Sequence, residues 1–227
     1  MTNTKGNNNS VSSSSYTLFT ELQNNTTEPQ LRKDRPAFII SSTSWTEDED
    51  FGILLEALIN YDKETSKQNQ QAQYPDIVVI VTGKGPLRNM YEQRIKQLSL
   101  KRIHIRTLWL AASDYPLLVG AADLGVCLHF STSGLDLPMK VVDMFGAGTP
   151  VAAIKYSCLH ELVKHDYNGY VFTSSEELSK QLLTMFQGFP NNPFLHENNR
   201  LQEGVKTFQN IRWQDNWDKY AASIFRK

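Results

Sequence analysis

Long apolar runs are missing from this 227-residue chain. Its most hydrophobic stretches, such as Ile77 to Val81, are far shorter than the roughly 20 residues a membrane-spanning helix requires, so the chain reads as soluble and without an anchor. Cysteine is scarce. Cys127 and Cys158 are the two present, which excludes a disulfide framework or a four-cysteine zinc site and points to a reducing compartment. Charge of one sign is also missing: 23 Lys and Arg stand against 24 Asp and Glu, a net charge of −1. The basic footprint of a nucleic-acid or acidic-membrane binder is therefore absent, and no nucleic-acid partner is expected. The first residues lack the apolar segment of a secretory signal. No internal repeat is visible. A dinucleotide-binding glycine fingerprint is missing too. Gly83-Lys84-Gly85 has Arg88 where a third glycine would fall, and it follows the second apolar run rather than the first. That disfavours a nicotinamide-dependent oxidoreductase, and the segment is no Walker loop either.

What is present is an apolar fraction of 40 % with 11 % aromatics, enough for a globular core. Asn, Ser, Thr and Gln make up 19 of residues 1–30. Such a segment buries too little apolar surface to offset its ordering entropy, so residues 1–34 read as a disordered polar tail. Its Asn-x-Ser/Thr triplets at Asn8, Asn24 and Asn25 matter only in a secreted protein. From residue 35 onward, short apolar strands alternate with helical patterns. Ala37–Ile40 is a strand; Thr46 to Glu49 has the spacing of a capping box ahead of the stripe Phe51, Leu54, Leu55, Leu58 and Ile59. Ile77–Val81, Ile103–Thr107, Leu124–Leu128, Pro150–Ile154 and Tyr170–Phe172 follow as strands. Helices are expected after Pro86, from Ser113, over Met139–Phe145, over Leu159–Lys164, over Glu176–Phe186 and over about 213–225. Strands this apolar, each followed by a helix, imply an α/β fold: a Rossmann-like, doubly wound, parallel six-stranded sheet in the order 3-2-1-4-5-6.

Ligands of such sheets bind beyond the carboxyl ends of the strands, where the strand order reverses. That places Ser42, Thr43 and Ser44, after the first strand, opposite the loop holding His129, Ser133 and Gly134, after the fourth. Any one hydroxyl here could simply cap a helix. Two hydroxyl-rich loops converging on one crevice favour an oxygen-rich ligand such as a sugar phosphate. Gly83, Lys84 and Gly85 either form a tight turn or offer backbone N–H groups to an anion. Lys140 falls in the first turn of a predicted helix, where the dipole disfavours a cation. Either a phosphate partner accounts for it or a solvated pair with Asp143, which is also placed to accept hydrogen bonds from a ribose diol. His129 reads equally as a satisfied strand-end residue or a ligand contact, and Cys127 as core. Glu47 to Asp50 contains an Asp-x-Asp, but four acids at a helix start are accounted for by the dipole, so no metal site is assigned.

The segments Ser41 to Asp50, Thr82 to Pro86, Ala122 to His129, Ser133 to Gly146 and Cys158 to Lys164 resemble the eukaryotic chitobiosyldiphosphodolichol β-mannosyltransferase family over about residues 38–190. The resemblance implies the C-terminal, nucleotide-sugar-binding domain of a GT-B glycosyltransferase. It implies GDP-mannose as donor substrate with no tightly bound cofactor, and dolichol-diphosphate-chitobiose as acceptor. It further implies inverting transfer in N-glycan precursor synthesis on the cytosolic face of the endoplasmic reticulum. Other mannosyltransferases of that pathway are implied partners. Many retaining GT-B enzymes carry two acids separated by seven residues. Aligned on Pro138 and Asp143, the first falls on Leu135, in keeping with inversion, while Asp143 matches the ribose-holding second acid. Ser42, Thr43 and Ser44 stand where many relatives carry basic residues, which leaves Lys140 as the main cation for the diphosphate. The family's N-terminal domain, with its membrane anchor, acceptor site and general base, has no counterpart ahead of residue 35. The chain is thus expected to be the donor half, with about 213–225 as a helix crossing back to the other domain. The alternative is a truncated, inactive paralogue that serves as a binding module for glycosylation enzymes.

Overall fold

The computed structural model describes residues 16–22, 28–69, 73–131, 133–191 and 200–225. The chain divides into two units, residues 1–36 and 37–227. In the first, β1 (Thr20–Leu22) pairs antiparallel with β2 (Pro29–Leu31), Thr20 facing Leu31 and Leu22 facing Pro29. Arg32 donates to the Thr17 carbonyl at 3.1 Å and to Asp34 at 2.8 Å. No side chain in the described part of this unit is buried, so main-chain and local polar bonds hold it. The expectation of disorder over 1–34 therefore needs correction for the ladder. Residues 1–15 and 23–27, with Asn8, Asn24 and Asn25, lie outside the described residues.

The second unit is a six-stranded parallel sheet. Its strands are β3 (Ala37–Ser42), β4 (Ile77–Thr82), β5 (Ile103–Leu108), β6 (Leu124–Cys127), β7 (Val151–Ile154) and β8 (Gly169–Phe172). They lie side by side in the order β5-β4-β3-β6-β7-β8, which is the order expected from the sequence. Between and after them come α1 (Phe51–Thr65), α2 (Arg88–Gln97), α3 (Tyr115–Gly120), α4 (Met139–Gly146), α5 (Ser175–Phe186), α6 (Arg200–Gln209), α7 (Trp213–Tyr220) and α8 (Ala222–Phe225).

Successive strand residues point to opposite faces, and β3 shows what this does. Ile39 packs with Leu54 and Leu58 of α1 and with Leu182 and Phe186 of α5. Ile40, the next residue, packs with Val119 of α3, Met144 and Phe145 of α4, and Val205 of α6. Both isoleucines are fully buried, and each contributes roughly 1.5–3 kcal/mol relative to exposure. A strand covered on both faces must be apolar throughout, which is why its sequence is a run rather than an alternation. The edge strand β5 does alternate: Ile103 and Ile105 are buried, His104 and Arg106 exposed.

Four helical details differ from the sequence reading. α1 is capped by Asp50, whose carboxylate accepts from the Gly52 N–H at 2.8 Å and the Tyr91 hydroxyl at 3.0 Å. Thr46 to Glu49 form a turn ahead of it, so Glu49 is not a capping-box residue. Over Leu159–Lys164 there is a single 3₁₀ turn, Leu159–Glu161. The helix expected over about 213–225 is two short ones. α6 carried no expectation; it is held against α4 by Gln209, which donates to the carbonyls of Phe145 and Gly146 at 3.0 and 3.1 Å.

In α7 and α8 the aromatic residues pack on one another: Trp213 stacks on Trp217 and Trp217 on Phe225, each with ring centroids 5.3 Å apart. Trp213, Tyr220, Ile224 and Phe225 remain exposed, and Ala222 is the buried residue of the pair. Hydrogen exchange should therefore be far faster at the amides of 213–225 than in α1. Trp217→Ala should change stability by less than about 1 kcal/mol, against about 3–5 kcal/mol for Phe145→Ala, both read from denaturant unfolding.

Candidate functional site

β3 and β6 are neighbours, with Ser41 paired to Val126, so the segments leaving their carboxyl ends meet. Beside them opens a cleft of about 570 Å³ lined by Ser42, Thr43, Ser44, Thr82, Gly83, Lys84, Trp109, Tyr115 and Lys140, with Leu110 and Ala112. Six residues singled out in the sequence thus share one wall: Ser42, Thr43, Ser44, Gly83, Lys84 and Lys140. Ser42 is held by hydroxyl contacts, 3.0 Å to Tyr115 and 3.0 Å from Thr82. Lys84 places its ammonium 4.1 Å from the centroid of the exposed Trp109 ring.

Sequence reasoning missed the residue at the centre. Glu49 is 2 % exposed, although the helix dipole had accounted for it. One carboxylate oxygen, Oε2, accepts from the Thr43 hydroxyl at 2.9 Å, the Ser44 N–H at 2.6 Å and the Ser44 hydroxyl at 2.9 Å. The other, Oε1, pairs with the Lys140 ammonium and lies 3.6 Å from Nδ1 of His129. Burial pushes the Glu49 carboxyl up, but the Lys140 contact and the Ser44 N–H outweigh it and hold the group below the ordinary carboxylate range. The ion pair of Lys140 is thus with Glu49 rather than with Asp143. A signal was available: Thr46-x-x-Glu49 precedes Asp50, a competent cap in its own right, which leaves Glu49 free for another task.

His129, Ser133 and Gly134 stand beside this wall rather than in it. Nε2 of His129 is 2.9 Å from Asp136. Asp136 also accepts from the Ser131 hydroxyl and, at 3.2 Å, from Ser133. The bond from Ser131, then that from His129, lowers its carboxyl to about 2. The Gly134 N–H donates to Ser131 at 2.8 Å, and Ser157 donates to the Gly134 carbonyl at 2.7 Å. In this state the serines of the loop are engaged with one another and with Asp136. Thr132 lies outside the described residues. The carboxylate of Asp143, one turn along α4 from Lys140, accepts no hydrogen bond among the described residues, and partial desolvation raises it. It therefore stands as an open acceptor. Cys127 is buried and its thiol is pushed up to about 11 by burial, the state of a core residue rather than a nucleophile. Among the described residues no three His, Cys, Asp or Glu side chains converge as a metal site.

The two glycines of Gly83-Lys84-Gly85 have a packing reason. Gly83 has a φ of +132° and a Cβ there would overlap the Thr43 carbonyl oxygen; at Gly85 it would overlap that of Ser44. The β4 loop lies directly on the β3 loop, so one backbone shapes the other. Trp45 then turns away with a φ of +53° and buries its indole among Phe51 and Tyr91.

A family model for the group 1 glycosyl transferases matches residues 23–200. The chain belongs to this family. It is 50 % identical over 219 residues to the UDP-glycosyltransferase TURAN of Arabidopsis thaliana, covering 92 % of this chain and 46 % of that protein. It is 51 % identical over 185 residues to the human chitobiosyldiphosphodolichol beta-mannosyltransferase, covering 82 % and 39 %. With the enzyme of that name from Dictyostelium discoideum it shares 44 % over 208 residues, covering 85 % and 42 %. The chain thus spans less than half the length of these relatives. Among solved structures, HepE of Anabaena in complex with UDP-glucose matches at TM-score 0.55 and 23 % identity, over 79 % of this chain and 44 % of that one. The C-terminal domain of the group 1 glycosyl transferase LpcC from Francisella tularensis matches at 0.56 and 16 %, over 79 % and 86 %. These likenesses show the fold: the Rossmann-like domain of GT-B glycosyltransferases.

Glu49→Gln keeps the shape but removes the charge beside Lys140. Breaking one side of a buried pair costs about 3–5 kcal/mol; with the Lys140 side chain 27 % exposed and Gln still hydrogen-bonding, about 1–3 kcal/mol is expected. A carboxyl held below its ordinary range stabilises above that range and loses its contribution as pH falls through the folded value. The gap between wild type and Glu49→Gln should thus be full at pH 7 and close below about pH 4, as read by urea unfolding at a series of pH values. Gly85→Ala should cost at least about 2 kcal/mol, because two backbones would have to part.

Proposed function

We propose that this chain is the donor-binding half of an inverting β-1,4-mannosyltransferase. The enzyme would move mannose from GDP-mannose to dolichol-diphosphate-chitobiose, on the cytosolic face of the endoplasmic reticulum. The observation that carries the reading is the wall where Ser42–Ser44, the β4 loop and Lys140 meet at the strand-order reversal. It stands in a chain about half identical to enzymes named for that reaction. No helix among the described residues is long and apolar enough to cross a membrane.

In this reading the donor's diphosphate faces Lys140. An ammonium has three N–H donors, so Lys140 can keep Glu49 and still take phosphate oxygens as negative charge grows on the departing GDP. Gly83 and Lys84 border the nucleoside, and the open carboxyl of Asp143 takes the ribose hydroxyls. Leu135, where retaining relatives place an acid, presents no carboxylate to the sugar. The acceptor hydroxyl would attack from the opposite side, its proton taken by a base outside this chain. The Arabidopsis relative is named for a UDP donor, which makes the base identity the decisive test. Calorimetric titration should show GDP binding, with UDP at least about tenfold weaker, a difference of about 1.4 kcal/mol. Lys140→Ala should weaken GDP by about tenfold or more, and Asp143→Asn should weaken GDP while leaving inorganic diphosphate unaffected. No GDP binding at millimolar concentration, or a preference for UDP, would overturn the guanosine assignment.

A further inference from the structure

A second cleft, of about 460 Å³, opens at the carboxyl ends of β7 and β8. It is lined by the exposed side chains of Lys155, His160, Lys164 and His165, by half-buried Val171, and by Leu159 and Val163, which are buried behind them. Neither lysine has a carboxylate within ion-pair distance among the described residues. Glu177 is the one acid among the lining residues, and it is already committed. Its Oε2 accepts from both the N–H and the hydroxyl of Thr173 at 2.7 Å, closing the N-terminus of α5 together with Ser174. The carboxyl lies below its ordinary range because of the Thr173 bonds, with His165 and Lys155 adding to the effect. The positive charge of the lysines therefore exceeds what this lining neutralises. His165 accepts the Val171 N–H on Nδ1 at 3.0 Å, so its neutral ring carries a proton on Nε2 as a further donor. His160 is oriented by donating through Nδ1 to the Ser157 carbonyl at 2.9 Å.

This cleft adjoins the donor wall without being part of it. Ser157, which lines it, donates to the Gly134 carbonyl, and Tyr156 donates to the Asp136 carbonyl at 3.1 Å. The loop Ser133 to Asp136, which stands beside the first wall, is thus hydrogen-bonded to residues that line the second cleft. Cationic donors beside apolar lining residues match a ligand that joins a diphosphate to a hydrocarbon.

We propose that the Lys155–Lys164 cleft binds the diphosphate of a prenyl-linked molecule, and so gives this chain its own contact with the acceptor. The identification of that molecule as the acceptor rests on the function proposed above. A transfer between two diphosphate-bearing molecules needs a cation seat for each, and this cleft would give the domain a part in acceptor recognition that the sequence reading left wholly to another.

The test uses geranyl diphosphate, inorganic diphosphate and GDP with the full chain. Geranyl diphosphate should bind in the presence of saturating GDP, and more tightly than inorganic diphosphate. Lys155→Glu with Lys164→Glu should weaken it at least tenfold and leave GDP within twofold. Lys155→Gln with Lys164→Gln, which adds no charge, should give a smaller loss in the same direction at unchanged thermal midpoint. Complete displacement of geranyl diphosphate by GDP would overturn the proposal, as would equal affinity for inorganic diphosphate or indifference to both double variants. If GDP fails to bind while geranyl diphosphate still depends on the two lysines, the donor reading falls and the cleft stands.

Discussion

A single buried carboxylate organises the crevice of this domain. Glu49 ties together three stretches of chain: the turn after β3 through Thr43 and Ser44, the first turn of α4 through Lys140, and the end of β6 through His129. Leaving such a group buried without partners would cost several kcal/mol. The surrounding hydroxyls, N–H and ammonium therefore have to be where they are. The sheet brings these loops near one another, and Glu49 sets their distances.

Around it the backbone is fitted closely. Gly83 and Gly85 let the β4 loop lie on the carbonyls of Thr43 and Ser44. Trp45 takes a left-handed conformation, and its buried indole N–H finds no hydrogen-bond partner among the described residues. Both are costly for a non-glycine residue, of order 1–3 kcal/mol each. They persist because the indole packs on Phe51 and Tyr91 while the main chain on either side is held by Glu49 and Thr43. Strain of this kind collects where a loop is shaped for something other than stability.

Much of this was legible in the sequence and part was not, for physical reasons. Strands buried on both faces, such as Ile77–Val81, announce themselves as unbroken apolar runs, and alternation with helices dictates a parallel sheet with a few allowed orders. The crevice followed from that topology, as did Ser42–Ser44 and Lys140. Glu49 did not, because an acid near a helix start has a sufficient local explanation, and inward rotation depends on Lys140, 91 residues away. The Leu159–Glu161 turn and the break between α7 and α8 show the same limit: spacing gives a face, but contacts decide whether a helix continues. β1 and β2 form in a stretch whose composition favours no core. Trp109 and Tyr115 line the cleft from segments with no polar pattern to mark them.

The pairing of Glu49 with Lys140 has a consequence for how the cleft selects what enters it. An anion arriving there meets a charge already balanced from within. Occupation would then have one ammonium shared between Glu49 and the newcomer, rather than the capture of a bare cation's field. Such sharing would give little to a small phosphate that brings charge without shape. It also depends weakly on ionic strength, because the competing carboxylate is built in and cannot be diluted away. A crevice built this way would select by fit rather than by charge.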